Sequence, residues 1–231
     1  MGLTGAMLDN VNRLVLANLG LLLRGLLVTA EVCALAFALA LALGLVACLV
    51  RLYVPVLRAM AIGYIEFCRA TPIFVQLLWV NYVWPELFGF PQSVMGAAVI
   101  ALGLQSSGYL AETFRSGIEG LPRGQREAGL AVGMTPAQIM RRIVMPQAVL
   151  VMAPAIVNQM TVVVKSSTLV SVIAMPDLMY EALKLVNTWF EPIEILTSAA
   201  LMYVAAIFLI SAFAKRVSDH FRTKFGLAGH V

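Results

Sequence analysis

The chain has 231 residues, of which 61% are hydrophobic and 12% charged, with a formal net charge of +4 and a mean hydropathy of +0.91. An ordinary soluble domain carries about 25% charged residues, so this composition specifies an integral membrane protein. The small positive excess is confined to loops and argues against a nucleic-acid partner.

From the N-terminus, Met7–Leu19 reads as a mildly amphipathic approach near the bilayer surface. It lacks a basic n-region, and the apolar run behind it is far longer than the roughly 7–15 residues of a signal-peptide core. A helix needs about 20 residues to cross the hydrocarbon, and five stretches qualify: 22–50, 56–84, 93–114, 147–164 and 193–214. The first stacks Ala34, Ala38 and Ala42 at intervals of four beside Ala36, Ala40 and Gly44, a small-residue surface suited to close helix contact in lipid. The second is interrupted at Arg69-Ala70-Thr71-Pro72, where the proline is expected to kink it. Lys165–Phe190 is too polar, and too broken by Pro176 and Asp177, to cross cleanly, so a partly re-entrant outer segment is expected there. The fold class is therefore all-α integral membrane, a single domain over 1–231 with five spans.

Lys and Arg in short loops set the orientation. Arg51 and Arg58 flank the first connection, Pro85–Pro91 has none, and the C-terminus carries Lys215, Arg216, Arg222 and Lys224. The N-terminus is expected outside and the C-terminus inside, with Lys165 and Lys184 in the outer connection as a small counter-signal. Cys33, Cys48 and Cys68 lie in apolar runs without C-x-x-C spacing and read as packing residues, with no metal site. His220 and His230 sit at the extreme C-terminus, which leaves the membrane core without a histidine. No G-x-x-x-x-G-K-[ST] phosphate loop is present, so any ATP is used by another chain, and no cofactor is expected in this one.

Charge and turn chemistry concentrate in 124–146, GQREAGLAVGMTPAQIMRRIVMP, flanked by Arg123. Gly133 can end a first short helix in the left-handed conformation. Thr135, Pro136 and Gln138 then restart the chain as N-cap, first helical residue and capping-box partner. Pro146 is expected to close this second short helix. On composition alone these arginines could equally be a loop that only fixes topology.

The spacing Glu127-Ala128-Gly129, Gly133, Ile143, Pro146 resembles the EAA loop of ABC-importer permeases, with Gly129 in place of the second Ala and Met145 in place of Leu. Further segments extend the resemblance to permeases of the polar-amino-acid uptake family. Tyr64-Ile65-Glu66 with Arg69-Ala70-Thr71-Pro72 is similar to their Y-I-E-x-x-R-G-T-P, and Tyr109-Leu110-Ala111-Glu112 with Arg115 and Gly117 to their A-Y-x-A-E-x-x-R-x-G. Met145-Pro146-Gln147-Ala148 and Lys165-Ser166-Ser167-Thr168-Leu169 resemble L-P-Q-A and K-[DN]-[ST]-S-L, with Ser166 departing. The resemblance implies a type I importer fold in the bacterial inner membrane and a role in transport, with no catalysis in this chain. It also implies two ATP-binding subunits that carry ATP and magnesium, a second permease subunit in a homo- or heterodimer, and an external amino-acid-binding protein. Glu127, Ala128, Gly129, Gly133, Thr135, Pro136, Gln138, Ile143 and Pro146 would form the coupling element that docks on the ATPase.

Polar groups within spans are costly and face a bundle interior or a water path. Gln105, Tyr109 and Glu112 share one helical face, as do Asn158, Thr161 and Lys165, and together they are the expected substrate pathway. A zwitterionic amino acid needs an acceptor for its ammonium and a donor for its carboxylate, which Glu112 and Lys165 offer. The competing reading pairs Glu112 with Arg115, and Glu66 with Arg69, across one helical turn. A secondary transporter or an intramembrane enzyme without an ATPase stays open as an alternative, disfavoured by the missing nucleophile–base arrangement and the absence of an inverted repeat.

Overall fold

The computed structural model of the chain describes residues 16–224. Most of the expected approach over Met7–Leu19 lies outside them, as do His230 and the side chains of Lys215, His220, Arg222 and Lys224. Among the described residues every regular element is a helix. Four helical stretches are long and apolar enough to cross a membrane: Leu19–Tyr53, Val94–Glu119, Pro136–Ile173 and Pro192–Ala212.

Helix α1, Leu19–Tyr53, has 35 residues and at about 1.5 Å per residue is far longer than the roughly 30 Å hydrocarbon layer. The stretch expected as the second span is not one helix. A 3-10 turn, Pro55–Leu57, leads into α2, Arg58–Ala70; the chain then breaks and resumes as α3, Ile73–Leu78. Pro72 stands at the N-cap of α3 with φ −58° and ψ 131°, so the proline ends one helix and starts another instead of kinking a single one. A π-helical segment, Trp79–Val83, then joins α3 to α4, Trp84–Phe88.

Helix α5, Val94–Glu119, extends the expected 93–114 span by more than a turn. The expected 124–146 element follows as α6, Arg123–Ala131, and α7, Pro136–Ile139, the latter continuing through π-helical Met140–Val144 into α8, Met145–Ser166. Pro146 therefore does not close a helix, contrary to expectation. It occupies the first turn of α8, where a missing N–H is tolerated, and the π segment before it carries the chain through without a break. A 3-10 stretch, Ser167–Ile173, then α9, Leu178–Trp189, and α10, Pro192–Lys224, are the last of the described elements.

The chain forms two compact units. One gathers the chain up to Leu39 with Thr71–Gly103 and Thr161–Leu209. Its hub is Asp177, which caps α9 by accepting from the Tyr180 N–H (2.9 Å) and also accepts from the Tyr203 hydroxyl (3.2 Å). Thr29 donates to the Gly25 carbonyl (3.0 Å) and accepts from the Leu178 N–H (3.1 Å). This close approach requires Gly25, because a Cβ there would lie 2.9 Å from the Asp177 carbonyl.

The other unit gathers Ala40–Ala70, Leu104–Met160 and the chain from Ile210. Here a Cβ on Gly44 would lie 2.9 Å from the Ser107 carbonyl. The Tyr64 hydroxyl and Ser107 Oγ share a 2.6 Å hydrogen bond. Of the two alanine rows on α1, Ala36 and Ala40 are fully buried with Gly44 in line, whereas Ala34, Ala38 and Ala42 are exposed in the single chain. Cys33, Cys48 and Cys68 are buried free thiols.

Candidate functional site: the 123–146 corner and the polar stripes

The corner between α6 and α7 is built by local rules. Gly133 has φ +76°. Its N–H donates to the Leu130 carbonyl and that of Met134 to the Gly129 carbonyl, both at 3.0 Å, which is the Schellman ending of a helix. Thr135 then caps α7 in a complete capping box: the Gln138 N–H donates to Thr135 Oγ1 (3.3 Å), and the Thr135 N–H to Gln138 Oε1 (2.8 Å).

The two glycines of the corner do different jobs. A Cβ on Gly133 would meet nothing within 4 Å, so that position is demanded by its φ alone. A Cβ on Gly129 would lie 2.8 Å from Ile139 Cγ1 and 3.2 Å from Ile143 Cδ1, so Gly129 is where the two arms of the corner close on each other. Arg126 donates to the Ile118 carbonyl (2.9 Å), tying α6 to the end of α5.

Around this frame Glu127, Ala128, Pro136, Gln138, Arg141 and Arg142 are exposed, with Leu130 at 57% and Val132 at 76% exposure. Behind α7 is a cavity of about 470 Å³ whose lining includes Tyr53, Leu130, Ile139, Met140 and Val144. The corner is thus a rigid, twice-capped projection with apolar and basic groups turned outward.

The expected pathway residues separate into two situations. On α5, Glu112 is clamped: Oε1 pairs with Arg51 and Oε2 with Arg115 (2.9 Å), and Arg115 also pairs with Glu119 (2.6 Å). Tyr109 is partly exposed, with the Arg69 guanidinium 5.5 Å from its ring centroid, and Arg69 pairs with Glu66 at 3.3 Å. Gln105 is half-buried. On α8, Asn158 and Lys165 are exposed and Thr161 is half-buried. Lys165 and Thr168 edge an otherwise apolar cavity of about 440 Å³, whose lining includes Met179, Leu196 and Tyr203.

Three features went unread in the sequence. Arg51 as the second partner of Glu112 has no local signal across 61 positions. Asp177 did have one, an aspartate directly before an amphipathic run, the signature of an N-cap. Burial pushes its carboxyl from the ordinary 3.8 up to about 6, against the N–H and hydroxyl donors that favour the charged form. Gln76, on α3, is 1% exposed, and neither of its amide atoms finds a hydrogen-bond partner among the described residues.

Residues 27–225 match the family described as "Binding-protein-dependent transport system inner membrane component". The chain is 32% identical over 198 residues to the arginine transport system permease protein ArtQ of Bacillus subtilis (strain 168), covering 85% of this chain and 90% of that one. It is 34% identical over 196 residues to the probable amino-acid ABC transporter permease protein PatM of Vibrio harveyi, covering 84% and 88%. Among solved structures, a chain of "an amino acid ABC transporter with histidines" superposes with a TM-score of 0.83 at 31% identity, covering 89% of this chain and 96% of that one.

Proposed function

The chain belongs to the family of binding-protein-dependent transport system inner membrane components, and on that premise we propose that it is the permease subunit of an ATP-driven importer for a polar amino acid. Membership makes it a multi-pass protein of the bacterial inner membrane and a transport component. The proposed assembly holds two copies of an ATPase that binds ATP and magnesium, a second permease subunit, and an external binding protein that delivers the amino acid. Within it the whole chain acts as one membrane domain. The broken 56–84 stretch serves as a fifth crossing, the N-terminus lies outside, and 124–146 and the C-terminus lie inside.

The observation that carries this reading is the corner at Gly133. A surface loop that only fixed topology would need neither a Schellman ending nor a complete capping box, nor would it hold Leu130 and Val132 out to water. Those features suit a rigid element pressed into a groove of another protein. The Glu127-Ala128-Gly129 to Pro146 segment is that element, with Ile143 and Gly129 closing it from within.

For the path itself, Asn158, Thr161 and Lys165 on α8 and Gln105 and Tyr109 on α5 are the proposed contacts. Tyr109, Asn158 and Lys165 are exposed and Gln105 and Thr161 half-buried, and polar groups on a spanning helix that are not packed away are rejected by lipid and belong to a water-filled route. Glu112, already engaged by two guanidiniums, positions the end of α5 beside that route.

Co-expression with the ATPase and binding protein encoded beside it, followed by uptake of labelled amino acids into proteoliposomes, tests the proposal. ATP-dependent uptake of an amino acid is the expected result. A chain that purifies without any ATPase and transports on an ion gradient alone would overturn it.

A further inference from the structure

A polar hollow of about 120 Å³ adjoins the ion network, lined by Arg51, Leu52, Arg58, Arg115 and Glu119. Three guanidiniums and the Glu119 carboxylate line it, and the Glu112 carboxylate pairs with two of those guanidiniums. Glu112 is answered by Arg51 and Arg115, and Glu119 by Arg115. Arg58 makes no ion pair among the described residues, so its charge and its N–H donors remain available to the hollow.

Immediately beside it the chain turns through Pro55–Leu57 and exposes a run of apolar side chains: Tyr53, Val54, Leu57, Met60 at 72% and Val56 at 89%. At the end of a span-length helix, such groups partition into the hydrocarbon boundary, while arginines hold the headgroup layer. Residues 51–60 therefore offer an unspent arginine and an acyl-chain surface side by side. Basic pockets in this setting select anionic headgroups. The volume takes a phosphate group and is too small for a nucleotide.

We propose that this hollow binds the phosphate of an anionic glycerophospholipid, with Arg58 as its principal donor and the acyl chains lying over Val56, Leu57 and Met60. Tyr53, two residues from Arg51, lines the cavity behind α7, so the lipid occupies the leaflet on the side of the 123–146 corner. There it braces the Arg51–Glu112 clamp close to the element that projects from the membrane. The proposal rests on membrane insertion and not on the identity of the cargo.

Native mass spectrometry of the detergent-purified chain, with whatever subunits copurify, measures it. Phosphatidylglycerol and phosphatidylcholine of identical acyl chains are titrated separately. The wild type should retain phosphatidylglycerol preferentially, and Arg58→Gln should weaken that retention about tenfold, the scale of one charge-assisted hydrogen bond. Arg58→Lys should keep most of it, and Arg24→Gln, which changes an arginine outside the hollow, should leave it unchanged. Equal retention of the two lipids, or an unaltered Arg58→Gln variant, overturns the proposal. Inorganic phosphate binding as tightly as the lipid would make the occupant a soluble anion and overturn the lipid assignment. Loss of a copurifying subunit in Arg58→Gln with phosphatidylglycerol retention intact would make the hollow a protein interface, and would equally overturn it.

Discussion

Replacing Gly133 with valine isolates what the corner needs if it is the proposed docking element. Gly133 holds φ +76°, and a Cβ added there meets nothing within 4 Å, so the substitution creates no clash and its whole cost is backbone strain. A β-branched residue in the left-handed region costs roughly 1–3 kcal/mol. That is too little to unfold a membrane protein of this size, yet enough to shift a capped turn to another geometry in most molecules. Gly89 supplies an internal control: φ is +74° and a Cβ likewise meets nothing within 4 Å, but it follows α4 in another loop. Gly133→Val and Gly89→Val thus carry the same local penalty at different places. Both should insert and accumulate normally. Only Gly133→Val should lose the ATPase on purification and lose amino-acid-stimulated ATP hydrolysis in proteoliposomes. Gly133→Asn, which tolerates the left-handed region, should recover much of both activities. If Gly133→Val retained the ATPase and coupled at the wild-type rate, or if Gly89→Val uncoupled equally, the corner would not be the docking element.

The remaining predictions follow from the ion network, the orientation and the Asp177 hub. Glu112→Gln should lower thermal stability in detergent by about 1–3 kcal/mol, because it leaves two half-buried guanidiniums without their carboxylate; adding Arg51→Gln should restore part of that loss, while exchanging Glu112 and Arg115 should not, since it sets an arginine against Arg51. Cysteine placed at Gln138, in a background lacking Cys33, Cys48 and Cys68, should resist an impermeant thiol reagent in intact cells and react after lysis; ready labelling in intact cells would invert the orientation. Burial raises the Asp177 carboxyl from 3.8 to about 6 in the fold, so its contribution is most favourable below about pH 4 and is lost as pH rises through 6, by an amount on the order of 3 kcal/mol. Asp177→Asn should remove that component from melting curves taken at pH 4.5 and 7, and an unchanged difference between the two would refute it.

What could be read from the sequence was what the chain specifies locally. Thr135 and Gln138 form a capping box because they stand three apart at a helix start, and the Gly133 turn depends on the six consecutive residues 129–134. The long apolar helices were equally legible from composition and length. The pairing of Glu66 with Arg69 and of Glu112 with Arg115 was visible as an i, i+3 alternative. The Arg51 contact was not, because a partner 61 positions away leaves no trace in spacing. Two alanine rows on one helix satisfy the same small-residue pattern, and only the neighbours Ser107 and Leu110 around Gly44 decide which row is covered. Pro72 was expected to kink a helix that it in fact divides, since the extended backbone it adopts is one of two outcomes open to a proline after Thr71.

The π segments explain the remaining discrepancy. Each precedes a proline in the first turn of a helix: Trp79–Val83 before Pro85, and Met140–Val144 before Pro146. Pro154 lies inside α8 without one, so a proline alone does not demand the wider turn. What the second π segment does is re-phase the buried face. The buried positions from α7 into α8 include Ile139, Val144, Ala148 and Met152, a step of five followed by steps of four. On an unbroken α-helix Ile139 and Ala148, nine residues apart, would stand about 180° apart on opposite faces. With one wide turn between them, Ile139 packs against Gly129 in the corner while Ala148 and Met152 bury along the membrane helix. Pro146 therefore marks no end of helix: the chain only changes pitch before it, and the proline falls where a missing N–H is tolerated. The helical backbone is continuous from Pro136 to Ile173, so no loop separates α7 from α8.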